Sequence, residues 1–127
     1  MKLILLVDDE AMILRVMRTA LEKVGYRVET ARDGVEALEK ISVEVPDVLV
    51  TDIEMPRMDG MELCIEIHKS IADREFPIFV ATSLTAMEHR EWSRRIPNLI
   101  FLEKPISIRR LCATISDHLQ CEDTVVP

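Results

Sequence analysis

Leu3-Ile4-Leu5-Leu6-Val7, followed without a break by Asp8-Asp9-Glu10, decides the fold class of this chain. Five apolar residues in a row are far fewer than the ~20 that cross a bilayer. They read instead as a strand covered on both faces, as in a parallel sheet. The carboxylates interrupt the run where the core of a signal peptide would continue, and no small-residue cleavage site follows. Working outward, Ile13, Val16, Met17, Ala20, Leu21 and Val24 recur at helical spacing, and Gly25 supplies the stop. Tyr26–Thr30 reads as a second, less apolar strand at a sheet edge, and Asp33-Gly34 opens a short helix with Ala37, Leu38 and Ile41 inward. Pro46, Pro77 and Pro97 stand just ahead of the runs Val48–Val50, Ile78–Ala81 and Leu99–Leu102, a place where proline costs no ladder bond. Asp59 with Glu62, and Thr85 with Glu88, have capping-box spacing, which predicts helices running to about Ile71 and about Arg95. A last helix turns Ile108, Leu111, Cys112, Ile115 and Leu119 inward, and its periodicity ends after Gln120. Five strands alternating with five helices predict an α/β fold, a doubly wound parallel sheet.

The 127 residues suit one domain, expected at 1–121, with 122–127 as a tail or the start of a linker. A composition of 48% hydrophobic and 31% charged residues with three Gly excludes disordered and low-complexity classes. With 23 acidic against 16 basic residues the net charge is −7, which opposes phosphate backbones and anionic lipid, so neither nucleic acid nor membrane is an expected partner. Cys64, Cys112 and Cys121 are odd in number and form no CxxC, so neither a disulfide framework nor a zinc site is indicated. A reducing cytoplasm fits, and Cys64 and Cys112 read as small thiols on inner helix faces.

Four of the predicted strands end in polar residues: Asp8 and Asp9, Asp52, Thr82 and Lys104. In an open parallel sheet all carboxyl ends face one edge, and ligands bind there. Three carboxylates at one edge repel one another and call for protonation or for a hard-oxygen cation, for which Mg²⁺ is the usual answer. The plainer alternatives are solvated loop acids at Asp8 and Asp9, a turn former at Asp52, a surface amine at Lys104 and an ordinary strand residue at Thr82. Against them, Asp59 already fills the cap position after Asp52, and Glu103-Lys104 directly ends an apolar strand before Pro105. A carboxylate beside Mg²⁺ and an ammonium is arranged to attack phosphorus, which makes Asp52 a candidate for acyl-phosphate formation.

These residues and their spacing resemble a receiver domain of a two-component response regulator, close to the single-domain chemotaxis-regulator kind. The match covers residues 2 to about 120: VDDE at Val7–Glu10, Asp33-Gly34 before EAL, Asp52 followed by MPRMDG at Met55–Gly60, Thr82, and Lys104-Pro105. The resemblance implies a flavodoxin-like (βα)5 fold with strand order 2-1-3-4-5. It implies that Asp52 is the phosphoacceptor for a histidine kinase or phosphotransfer protein. Asp9 and Asp52 would bind Mg²⁺ directly, Asp8 through water, and the third protein ligand would be the backbone carbonyl of Glu54. Thr82 and Lys104 would hold the phosphoryl oxygens, Phe101 would occupy the aromatic switch position, and Thr82 and Phe101 would be the two switch residues. The surface of helix 4, strand 5 and helix 5 would then control an output domain, a protein partner or a second copy of the chain. On this reading the domain is not an enzyme in turnover, since it catalyses only its own phosphotransfer and dephosphorylation. Two departures stand out. Ser83 follows Thr82 where the family prefers Ala or Gly, and Ile96-Pro97-Asn98 replaces a Gly-containing turn beside Arg90, Trp92, Arg94 and Arg95. A phosphotransferase of the haloacid dehalogenase kind is the rival from another class, but it needs a second Asp where Asp52-Ile53-Glu54 has Glu. A receiver-like scaffold independent of phosphate is the third reading.

Overall fold

The computed structural model describes residues 1–71, 73–83 and 90–123, and the side chains of all of these except 90 and 120–123. The elements are β1 (Leu3–Val7), α1 (Ala11–Val24), β2 (Arg27–Ala31), α2 (Gly34–Val43), β3 (Val48–Asp52), α3 (Gly60–Ser70), β4 (Ile78–Thr82), α4 (Arg90–Ser93), β5 (Leu99–Glu103) and α5 (Ile108–Asp123). All strand pairings are parallel, and the sheet order is β2-β1-β3-β4-β5. This is the fold and the strand order expected from the sequence. Order reverses between β1 and β3, so the carboxyl ends of those two strands flank the crevice in which such sheets bind ligands.

The period-2 alternation of each strand divides the core into two layers. Leu5, Val7, Leu49, Ile78 and Val80 face Ala37, Ile41, Leu63 and Ile67 of α2 and α3. Ile4, Leu6, Val48, Val50 and Phe79 face Leu14, Met17, Leu21, Leu111, Ile115 and Leu119 of α1 and α5. β1, β3 and β4 are buried throughout, as near-continuous apolar runs require, whereas edge strand β2 is buried only at Val28 and Ala31. Cys64 is fully buried and Cys112 partly so; both are unpaired thiols.

Local signals place the helix ends. Asp59 and Glu62 form the reciprocal capping box of α3, Asp33 caps α2 through the Glu36 amide, and Gly25 ends α1 at φ 112°, in the left-handed region that glycine alone enters freely. The expected face of α1 needs correction. Ile13, Val16 and Val24 are 38%, 53% and 54% exposed, and the buried stripe is Leu14, Met17 and Leu21. Two apolar stripes overlap on this helix, and only the narrower one meets the sheet. The described part of α4 ends at Ser93 rather than near Arg95, because the Ile96 amide turns back to the Ser93 carbonyl ahead of Pro97. The Thr85–Glu88 capping box lies outside the described residues. α5 continues to Asp123, past the end of its apolar periodicity. Among the described residues no helix is long and apolar enough to cross a membrane.

Candidate functional site

Two strand ends, those of β1 and β3, supply the acidic edge. Asp8 follows β1 and is buried to 5% exposure, Asp9 and Glu10 beside it are exposed, and Asp52, the last residue of β3, is also 5% exposed. Asp8, Asp9 and Glu10 each bring a carboxylate oxygen within 4.8 Å of the others. Glu10 joins this group beyond the site residues expected from the sequence, and its adjacency to Asp8-Asp9 is the signal that points to it. Asp8 Oδ1 accepts the Glu10 amide at 2.9 Å, which folds the turn after β1 so that these acids point together.

Asp52 is turned toward a cation of the protein. Lys104 Nζ lies 2.8 Å from its Oδ1, which also accepts the Ile53 amide at 2.7 Å. The Lys104 amide donates to the Thr82 carbonyl at 3.0 Å, so the ends of β4 and β5 register Thr82 and Lys104 side by side. The Lys104-Pro105 peptide is cis. Behind Asp52, Gly60 fills a place where no side chain fits, since a Cβ there would come within 2.3 Å of the Asp52 carbonyl oxygen. Glu54 lies in the loop between β3 and α3, exposed, on the same edge.

The electrostatics follow from burial. Loss of solvent pushes the Asp8 carboxyl up to about 6; the Glu10 amide pulls it down, and the charge of Asp52 pushes it further up. Burial works against the Lys104 ammonium, but its hydrogen bond and charge contact with Asp52 outweigh that, so its pKa stands above the usual lysine value. The edge therefore holds more negative charge than Lys104 neutralises. An added hard cation would relieve that excess, and oxygen donors suit Mg²⁺ rather than a softer metal.

The sequence model of the response regulator receiver domain matches residues 4–116. The chain belongs to the response regulator receiver family. The receiver chain is 40% identical over 112 residues to a probable transcriptional regulator, ycf27, of Guillardia theta, covering 88% of this chain and 43% of the relative. It thus spans less than half the length of that relative. Among solved structures, it superposes on a CheY-like response regulator receiver domain protein from Methanospirillum hungatei with TM-score 0.86 and 31% identity, covering 97% of both chains. It superposes on the response regulator TrrA of Thermotoga maritima in complex with Mg²⁺ and BeF with TM-score 0.78 and 31% identity, covering 92% of this chain and 98% of the other. Receiver domains are regulatory modules of two-component signalling, and membership in this family removes the haloacid dehalogenase reading.

Phe101, midway along β5 and opposite Val80 of β4, is partly buried on the α2–α3 layer and meets Trp92 of α4 edge to face, with ring centroids 6.0 Å apart and planes at 83°. The half-buried Trp92 thus packs on its own fold, with Arg94 and Arg95 exposed around it.

Proposed function

We propose that this receiver domain is a phosphorylation-driven switch in which Asp52 takes a phosphoryl group from the phosphohistidine of a kinase or phosphotransfer protein. The observation that carries the reading is the 2.8 Å contact of Lys104 Nζ with Asp52 Oδ1, close enough to the buried Asp8 for its carboxylate to feel both charges. Lys104 and the Ile53 amide both hold Asp52 Oδ1, and the attack is assigned to Oδ2. A bond forms from Oδ2 to phosphorus, the bond from phosphorus to the imidazole nitrogen breaks, and the electron pair leaves on the imidazole. Asp9, Asp52 and the Glu54 carbonyl would hold Mg²⁺, with Asp8 acting through a water molecule. Bound there, Mg²⁺ supplies positive charge to the phosphoryl oxygens as they transfer. Lys104 shifts from Asp52 Oδ1 to a phosphoryl oxygen, and the Thr82 hydroxyl donates to another.

The donor's approach has a surface to match. Met12, Ile13 and Val16 of α1 are 74%, 38% and 53% exposed. With Asp8, Lys104 and Pro105 they line a groove of about 640 Å³. An apolar apron next to a charged site suits a helix that presents its histidine from an apolar face. On the output side, movement of Thr82 toward the phosphoryl group changes the space behind it, and Phe101 with Trp92 carries that change to the surface of α4, β5 and α5. An output domain, a protein partner or a second copy of the chain reads it there. The likeness to a longer transcriptional regulator supports an output domain beyond this span. A cytoplasmic place of action accords with the unpaired thiols of Cys64 and Cys112.

Incubation with acetyl phosphate and Mg²⁺ tests the reading. Wild type takes an acid-stable, hydroxylamine-labile label, and Asp52→Asn takes none. Stoichiometric acid-stable label on Asp52→Asn refutes the assignment, and no label on wild type favours the phosphate-independent scaffold.

A further inference from the structure

The loop that leaves Asp52 is tied down at its far end. Arg57 has φ 66°, in the left-handed region that a non-glycine residue enters at a cost. The turn delivers its guanidinium to Asp33 at the start of α2. Arg57 Nε donates to Asp33 Oδ2 at 2.7 Å, and Nη2 lies 2.7 Å from the same oxygen. Asp33 Oδ1 accepts the Glu36 amide at 2.9 Å, so one carboxylate both caps α2 and holds the loop. The Gly34 amide donates to the Met58 carbonyl at 3.0 Å. The Met58 side chain lies so close that a Cβ on Gly34 would come within 2.5 Å of its Cγ. The Gly60 amide closes the loop from the other side by donating to the Ile53 carbonyl at 2.8 Å.

We propose that Arg57 is a positioning residue for the cation site: its pairing with Asp33 fixes the loop 53–58, and with it the Glu54 main chain, before a cation or phosphoryl group arrives. The proposal rests on the cation reading given above. Mg²⁺ demands near-ideal octahedral ligand placement, and a main-chain oxygen has no side-chain torsions with which to adjust. The placement of the Glu54 carbonyl is therefore the placement of its loop. Exposed ion pairs contribute little alone. Here one partner, Asp33, is 6% exposed, and both groups are ionised, which makes the hydrogen bond the stronger, charge-assisted kind.

Mn²⁺, a hard cation whose free form is counted by electron paramagnetic resonance, is the probe. Arg57→Ala weakens Mn²⁺ binding about tenfold, the lower end of what losing an outer-sphere partner costs. Asp33→Ser, which keeps a helix cap but not the charge, weakens it as much, and the double variant binds no worse than either single one. Hydrogen exchange of the Gly34 amide in chelator reads the tie without a cation. It accelerates in Arg57→Ala and is restored in part by Arg57→Lys. Unchanged Mn²⁺ affinity in Arg57→Ala overturns the proposal even where Gly34 exchange accelerates, and so do single losses that multiply in the double variant. Wild type that binds no Mn²⁺ overturns the cation reading itself and this proposal with it.

Discussion

Asp8→Asn should stabilise the metal-free protein at neutral pH. The native carboxyl titrates near 6 instead of 3.8, chiefly because burial removes its solvent and partly because Asp52 repels it. At 1.36 kcal/mol per pH unit, that displacement amounts to about 3 kcal/mol against the ionised form at pH 7. Screening through the open side of the site lowers the part felt as stability to about 1–2 kcal/mol. Because the native state holds its proton more tightly than the unfolded state, this loss is absent at low pH. It grows as pH rises from about 4 to about 6 and is complete above that. Asparagine keeps the acceptor for the Glu10 amide and removes the charge, so the variant should escape the loss. The assay is urea unfolding in chelator at a series of pH values. Asp8→Asn should exceed wild type by about 1–2 kcal/mol at pH 7.5, with most of the advantage gone by pH 4. Saturating Mg²⁺ should narrow the gap by stabilising wild type more. A variant less stable than wild type at pH 7.5, or an advantage independent of pH, would refute the electrostatic account.

Asp9→Ala should weaken Mg²⁺ binding more than Asp8→Ala, because a direct ligand loses more than one acting through water; equal losses in titrations would contradict that ranking. Val16→Asp, placed in the exposed apolar part of α1, should slow transfer from a phosphorylated kinase at least about tenfold, the effect of about 1.4 kcal/mol of lost docking, yet leave labelling by acetyl phosphate unchanged. Equal slowing with both donors would exclude the α1 surface as the donor's dock. Beryllofluoride with Mg²⁺ should change Trp92 fluorescence in wild type and much less in Thr82→Ala, since Phe101 lies against Trp92; equal responses would break the proposed route from Thr82 to α4.

How far the sequence discloses the molecule depends on the range of each interaction. β1, β3 and β4 are legible because both their faces are buried and their apolar runs are unbroken. The ends of α2 and α3 are legible because Asp33 and Asp59 act on amides three residues away. The convergence of Asp8, Asp52, Thr82 and Lys104 follows from parallel topology, since each lies at or just past a strand's carboxyl end. The face of α1 is ambiguous in the sequence because Ile13, Val16 and Val24 are as apolar as Leu14 and Leu21, and only the packing with the sheet and α5 selects between the stripes. The pairing of Arg57 with Asp33 was invisible because it joins residues 24 positions apart through a left-handed turn that no glycine marks. The same limit hid Arg74, whose guanidinium donates to the Phe76 carbonyl at 2.6 Å and to that of Pro97, holding the turn before β5.

Borohydride trapping tests the central claim most directly. An aspartyl phosphate is reduced to homoserine, which peptide mass mapping places in the chain. After treatment with acetyl phosphate and Mg²⁺, homoserine at position 52 and at no other aspartate is the result this account requires. Homoserine at Asp8 or Asp9, or none at all in a protein that retains its fold, would contradict it.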